Sequence, residues 1–280
     1  MYSLKGFYDL HVHPSPDVKK RKFTDPELAG RLLEAGMQGV VIKNHFSETA
    51  CRAALLQQQF PQLKVAGGIV LNRPNGGINP YAVENCIALG GKFLWMPTLD
   101  ARTYQLCKHP DMKREEAEKY LYLLDERGNL LPAVREVLYL AAQADMTVAT
   151  GHISAEEGKK VAAAAREAGV RKIIITHADN PADFYTDADQ LACVKMGAVI
   201  EHCCFNVFTG QTPIGELARQ IRLVGCDNVL LSSDFGQPGS PYPEEGLSQL
   251  AEALLGEGFT PSDLETMLKT NPEKLMGPSC

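Results

Sequence analysis

The sequence has no CxxC pair, no apolar run of 18 residues, no excess of basic charge, and neither of the glycine-rich phosphate signatures GxGxxG and GxxxxGK[ST]. Each absence closes a class. Without a long apolar run there is no candidate membrane helix, and the opening MYSLKGFYDLHVH reaches Asp9, His11 and His13 without the apolar stretch of a secretory signal. No membrane partner and a cytoplasmic location are therefore expected. Eight cysteines, at 51, 86, 107, 193, 203, 204, 226 and 280, are scattered along a chain long enough to need no disulfide staples, so reduced thiols are the default. A formal charge of -6, from 28 Lys+Arg against 34 Asp+Glu, offers no attraction to a phosphate backbone, which argues against nucleic acid as a partner. There is no internal repeat and no low-complexity tract.

What the chain does contain is a regular alternation. Short β-branched runs separated by amphipathic segments predict strands at 7–13, 39–45, 64–72, 92–98, 146–152, 172–177, 197–202 and 228–234. Successive strand ends are 25 to 32 residues apart except for one interval of 54, between 98 and 152. Capping-box spacing at Thr24 with Glu27, Ser154 with Glu157 and Ser262 with Glu265, and the pairs Asn79-Pro80 and Thr212-Pro213, mark helix starts between them. Leu28, Leu32 and Ala35 form the stripe that a helix lays on a sheet. Eight βα steps predict an α/β fold, a (β/α)8 TIM barrel, for which about 250 residues are typical. The 280 residues are read as a single domain, with the excess placed in an insertion after strand four, at 101–130. Its YLYLLDERGNLLP portion reads as a hairpin turning near 126–129, and the segment is either a lid or a surface excursion.

Six of the seven histidines, at 11, 13, 45, 152, 177 and 202, fall at C-terminal strand ends, where barrel enzymes carry their chemistry. His11 and His13 are two apart on one strand, so they face the same way and can reach one ion. Barrel closure brings Asp234 beside them, and His152 with His177 lies across the mouth, where a second ion has room. Neutral imidazoles with a carboxylate suit a divalent metal; zinc is the expected ion, with Mn2+, Fe2+ and Ni2+ as alternatives and the count one or two.

These residues carry a resemblance. DLHVHP (9–14), GH (151–152), TH (176–177), SSDFG (232–236) and the tail TNPEKLMG (270–277) resemble the amidohydrolase superfamily of metal-dependent hydrolases over the whole chain, and VVIKNH, LWMPTLDAR and SSDFGQP look closest to an uncharacterised cytosolic branch. The resemblance implies that His11, His13 and Asp234 bind the more buried metal and His152 and His177 the more exposed one. It also implies that Asp234 takes a proton from the attacking hydroxide and passes it to the leaving group.

One departure concerns the bridging ligand, a carboxylated lysine or a glutamate that the superfamily usually takes from strand four. Met96-Pro97-Thr98-Leu99-Asp100 offers neither. Lys43, ending strand two, has three readings: a carboxylated bridging ligand, an unmodified lysine polarising substrate, or a structural or surface residue. His45 is a ligand, a substrate contact or the start of a loop. Of Glu201 and His202, on opposite faces of one strand, His202 is favoured as the residue facing the site and Glu201 as a salt-bridged barrel residue. Arg73 and Arg102 are candidates to clamp a substrate carboxylate or phosphate. Cys203 and Cys204 read as packing residues and His109 as part of the insertion.

The leading expectation is an enzyme, a metal-dependent hydrolase cleaving an amide, cyclic amide, lactone or ester of a small molecule. Phosphoester hydrolysis on the same ligands is the alternative, and a non-catalytic metal-binding barrel a third. A homo-oligomer is left open.

Overall fold

The protein is described from a computed structural model covering residues 2–277, so Cys280 lies outside the described residues. Nine parallel strand segments make eight staves: β1 (Tyr8–Val12), β2 (Gly39–Ile42), β3 (Lys64–Ala66), β4 (Gly68–Val70), β5 (Phe93–Trp95), β6 (Thr147–Ala149), β7 (Lys172–Ile175), β8 (Val199–Cys203) and β9 (Val229–Ser232). β3 pairs with β2 and β4 with β5, so these two pieces are halves of one stave broken at Gly67. The break depends on missing side chains: a Cβ on Gly67 would stand 2.3 Å from the Thr49 carbonyl oxygen, and one on Gly68 1.9 Å from that of Phe93. β1 and β9 meet through a parallel bridge between Val12 and Phe235. The Asp234 amide donates to the His11 carbonyl and the His13 amide to the Phe235 carbonyl, both at 2.8 Å. These bonds close the (β/α)8 barrel.

Two apolar layers follow from the alternation of side chains along each strand. Tyr8, Leu10, Val41, Val70, Phe93, Trp95, Ile174 and Leu230 fill the barrel interior, joined from below by Leu275 and Met276 of the helix Asn271–Met276. Outside, residues such as Val40, Ile42, Leu94, Ile173 and Leu231 meet the helices. In the helix Asp25–Glu34, Leu28 and Leu32 are fully buried, each contributing about 1.5–3 kcal/mol. The capping boxes at Thr24/Glu27 and Ser154/Glu157 are formed. The one expected at Ser262/Glu265 is not: Thr260 caps with Asp263, because Pro261 takes the first helical position and moves the start back by two residues.

Seven of the eight staves stop short of the expected C-terminal boundary; the exception, β8, runs on to Cys203. The cause is local. Gly151, His177 and Asp234 have φ of 63°, 25° and 55°, which an extended strand cannot include. At Gly151 a Cβ would also come within 2.4 Å of the Met96 carbonyl oxygen. The chain therefore turns at the strand ends and swings His152, His177 and Asp234 over the barrel mouth.

The 101–130 segment follows β5. It contains the helices Arg102–Lys108 and Arg114–Ala117 and a hairpin closed by an antiparallel Leu124–Leu130 bridge. Gly128, with φ of 77°, makes its turn. Glu157 anchors the segment by accepting from the Leu123 amide at 2.9 Å while it also caps the helix Ala155–Ala168.

Candidate metal centre

The closure of β1 on β9 brings three donor atoms together. Nε2 of His11 and Nε2 of His13 stand 3.2 and 3.1 Å from Oδ1 of Asp234. Ligands held at 2.0–2.1 Å around a tetrahedral ion are about 3.3 Å from one another, so these atoms already have ligand spacing. Burial favours neutral imidazole at His13, taking it down to about 3 against the pull of Asp234. Burial opposes the Asp234 anion, but His11 and His13 hold its carboxyl well below the usual range. Two imidazoles and a carboxylate are the donor set of a divalent transition-series ion, and the residues fit that group.

His11 is aimed from behind. Its Nδ1 lies 3.3 and 3.2 Å from the two carboxylate oxygens of Glu201, which fixes the proton on Nδ1 and leaves the Nε2 lone pair facing Asp234. The expected order of Glu201 and His202 is therefore reversed. Strand alternation turns Glu201 to His11, while His202 turns away and pairs through Nδ1 with Asp179 Oδ1 at 2.9 Å. Replacing Glu201 by Gln should weaken metal binding about 10- to 100-fold with little change in melting temperature. Unchanged affinity in a metal-competition titration would remove Glu201 from this role.

Lys43 is fully buried, and its Nζ is 3.0 Å from His11 Nε2, which rules out a surface position. Burial lowers its pKa, opposed by Asp234 and Glu201. Opposite this group the rings of His152 and His177 are 4.9 Å apart, and that of His177 is 6.0 Å from His11. Burial drives His152 well below its ordinary value, whereas at His177 the charge of Asp183, 3.2 Å away, overcomes burial and raises it to about 9. Among the described residues the His, Cys, Asp and Glu groups with ligand spacing are His11–His13–Asp234 and His11–Glu201–Cys203. The second contains Cys203, whose Sγ is 3.9 Å from His11 Nδ1, a closeness that reading it as a packing residue does not include. His152 and His177 supply only two donors to a second ion.

A cavity of ≈ 220 Å³ opens over the cluster, bounded by His13, His45, His152, His177 and Asp234. Lys19, Arg21, Tyr104, Lys108 and Asn180 also face it. His45 stacks on His13 with ring centres 4.6 Å apart, and its Nδ1 is 2.8 Å from Thr98 Oγ1. Asn72 organises that corner: its side-chain amide donates to Thr98 Oγ1 at 2.7 Å and to the His45 carbonyl at 3.0 Å. Arg73 and Arg102 do not line the cavity. Arg73 lies over Tyr120 and Arg102 over Tyr122, aromatic faces that the insertion supplies. His109 and His202 are also outside it. Sequence reading missed Lys19, Arg21 and Lys108; the only signal was the basic run KKRK at 19–22 on the loop after the HxH motif.

A family of unknown function (DUF6282) matches residues 6–201, which include both strand-one histidines, Lys43, His152, His177 and Glu201. The chain belongs to this family. No curated protein matches the DUF6282 sequence. Solved structures do. A phosphotriesterase homology protein from Escherichia coli, complexed with phosphate in its active site, is 15% identical with a TM-score of 0.61, covering 99% of this chain and 100% of its own. An organophosphorus hydrolase from Deinococcus radiodurans is 15% identical with a TM-score of 0.59, covering 98% and 93%. An amidohydrolase from Pseudomonas aeruginosa is 10% identical with a TM-score of 0.60, covering 97% and 95%. At these identities the likeness is one of fold, and it extends over the whole barrel.

Proposed function

We propose that this DUF6282 protein is a metal-dependent hydrolase that cleaves an amide, cyclic amide, lactone or ester bond in a small molecule. The observation that carries the reading is the convergence of His11 Nε2 and His13 Nε2 on Asp234 Oδ1, at 3.2 and 3.1 Å, beneath the cavity. His11, His13 and Asp234 would hold one divalent ion, zinc by donor type, with His152 and His177 and a modified Lys43 available to a second. Such an ion, when bound, would lower the pKa of water towards ~7 and polarise the scissile group.

The remaining steps belong to the chain. Asp234 has its carboxyl held well below the usual range, so it is the anion at the cluster that can accept the proton of the attacking water and return it to the leaving group. Glu201 keeps the His11 lone pair aimed at the cluster. His45 and Tyr104, with ring centres 5.8 and 4.9 Å from that of His152, bound the space over the reacting bond. We assign the 101–130 segment to covering this space, since Tyr104 and Lys108 reach the cavity from it.

Phosphoester hydrolysis is the second reading, supported by the phosphate in the active site of the E. coli phosphotriesterase homology protein. Metal analysis of the purified protein should give at least one transition-metal ion per chain, and chelation should abolish turnover, with recovery on adding zinc. A chain that neither copurifies with nor rebinds a transition metal would sink both readings. Turnover of lactones and amides but not aryl phosphates would select the first.

A further inference from the structure

The cavity over the His–Asp cluster is also lined by three cations. Lys19 and Arg21 come from the loop after β1 and Lys108 from the end of the helix Arg102–Lys108. Arg21 is the most constrained: its side chain is 4% exposed, its Nε donates to Asp17 Oδ2 at 2.6 Å, and its Nη2 is buried without a hydrogen-bond partner. A buried guanidinium N–H left unpaired costs free energy, so an acceptor entering the cavity that Arg21 lines would meet a donor with no other partner. Asp17 offsets one of the three charges on Lys19, Arg21 and Lys108 and leaves the wall cationic.

We propose that Arg21, with Lys19 and Lys108, binds an anionic oxygen group of the substrate, a carboxylate or a phosphoryl group, distinct from the bond that is cleaved. This rests on the hydrolase reading for the chemistry at the other end of the molecule. The guanidinium fork supplies directed donors, and the two lysines add charge without fixed direction. The cavity of ≈ 220 Å³ equals about seven water molecules at 30 Å³ each, so the anionic group and the reacting bond belong to one small molecule.

Acetate and methylphosphonate test the site, titrated by calorimetry into the protein as purified and again after chelation, so that anion binding is separated from any metal. Saturable binding of either probe is expected in both states, and the tighter of the two identifies carboxylate or phosphoryl recognition. Arg21→Gln should weaken it about 10- to 100-fold, with Arg21→Lys intermediate because charge survives while the fork is lost. Asp17→Asn removes the ion pair that holds the loop but leaves the guanidinium, and should bind at least as tightly as the wild type. Should Arg21→Gln fail to fold, Lys108→Ala carries the test with an expected loss of about 2- to 5-fold. Wild-type affinity in Arg21→Gln, absence of binding to the chelated protein, or equal loss in Asp17→Asn would overturn the proposal. A failure of the hydrolase reading looks different: no metal binds, while anion binding and its dependence on Arg21 persist.

Discussion

Asp234→Asn should lower kcat by about 10²- to 10⁴-fold while leaving the barrel folded. The carboxylate is both the third donor of the cluster and the nearest group able to move a proton, and the amide retains neither the charge nor the basicity. The fold should survive for two reasons. The bonds that place this residue use its backbone and not its carboxylate: its N–H donates to the His11 carbonyl, and its own carbonyl accepts from the Gln237 side-chain amide. Its φ of 55° is one that Asn adopts readily. Turnover measured beside a thermal melt separates the two effects, and wild-type turnover would remove Asp234 as the proton carrier.

The second large effect is expected at Lys43. An ammonium 3.0 Å from His11 Nε2 places a donor against the lone pair that an ion needs, and like charge opposes the ion as well. Carboxylation by CO2 removes both conflicts, turning the donor into an anionic oxygen ligand. Intact mass measured under mild conditions should then show the wild type heavier by one CO2, and Lys43→Met should lose that mass, one metal ion per chain and at least about 100-fold in kcat. An unmodified mass with the metal count unchanged in Lys43→Met would instead leave the lysine as a group polarising substrate.

Much of this was readable along the chain because its physics is local. Alternation of apolar and polar residues, cap residues and helix-ending glycines depends on neighbours a few positions away, so the number of staves and the insertion were legible. So was the placement of His11, His13, Lys43, His152 and His177 around one mouth. The strand ends were misjudged because φ at His177 and Asp234 is imposed by the loops they enter and not by their own residue type. Period two placed Glu201 and His202 on opposite faces, but not which face was inward. Arg73 and Arg102 were plausible anion clamps by position, yet Tyr120 and Tyr122, brought close by the folded insertion, claimed both.

The protein's sequence by itself therefore determined a metal-capable barrel with histidines at its strand ends, since periodicity and residue chemistry are properties of short segments. Tertiary structure decided what those residues touch. Only closure of β1 on β9 sets His11 and His13 against Asp234, and only the stagger of β8 aims Glu201 at His11. Only the path of the 13–24 loop buries Arg21 with a free N–H at the cavity. Each of these contacts joins residues that are distant in the chain or turned by a loop, and such distances are set by the closed geometry of the barrel, which no local pattern encodes.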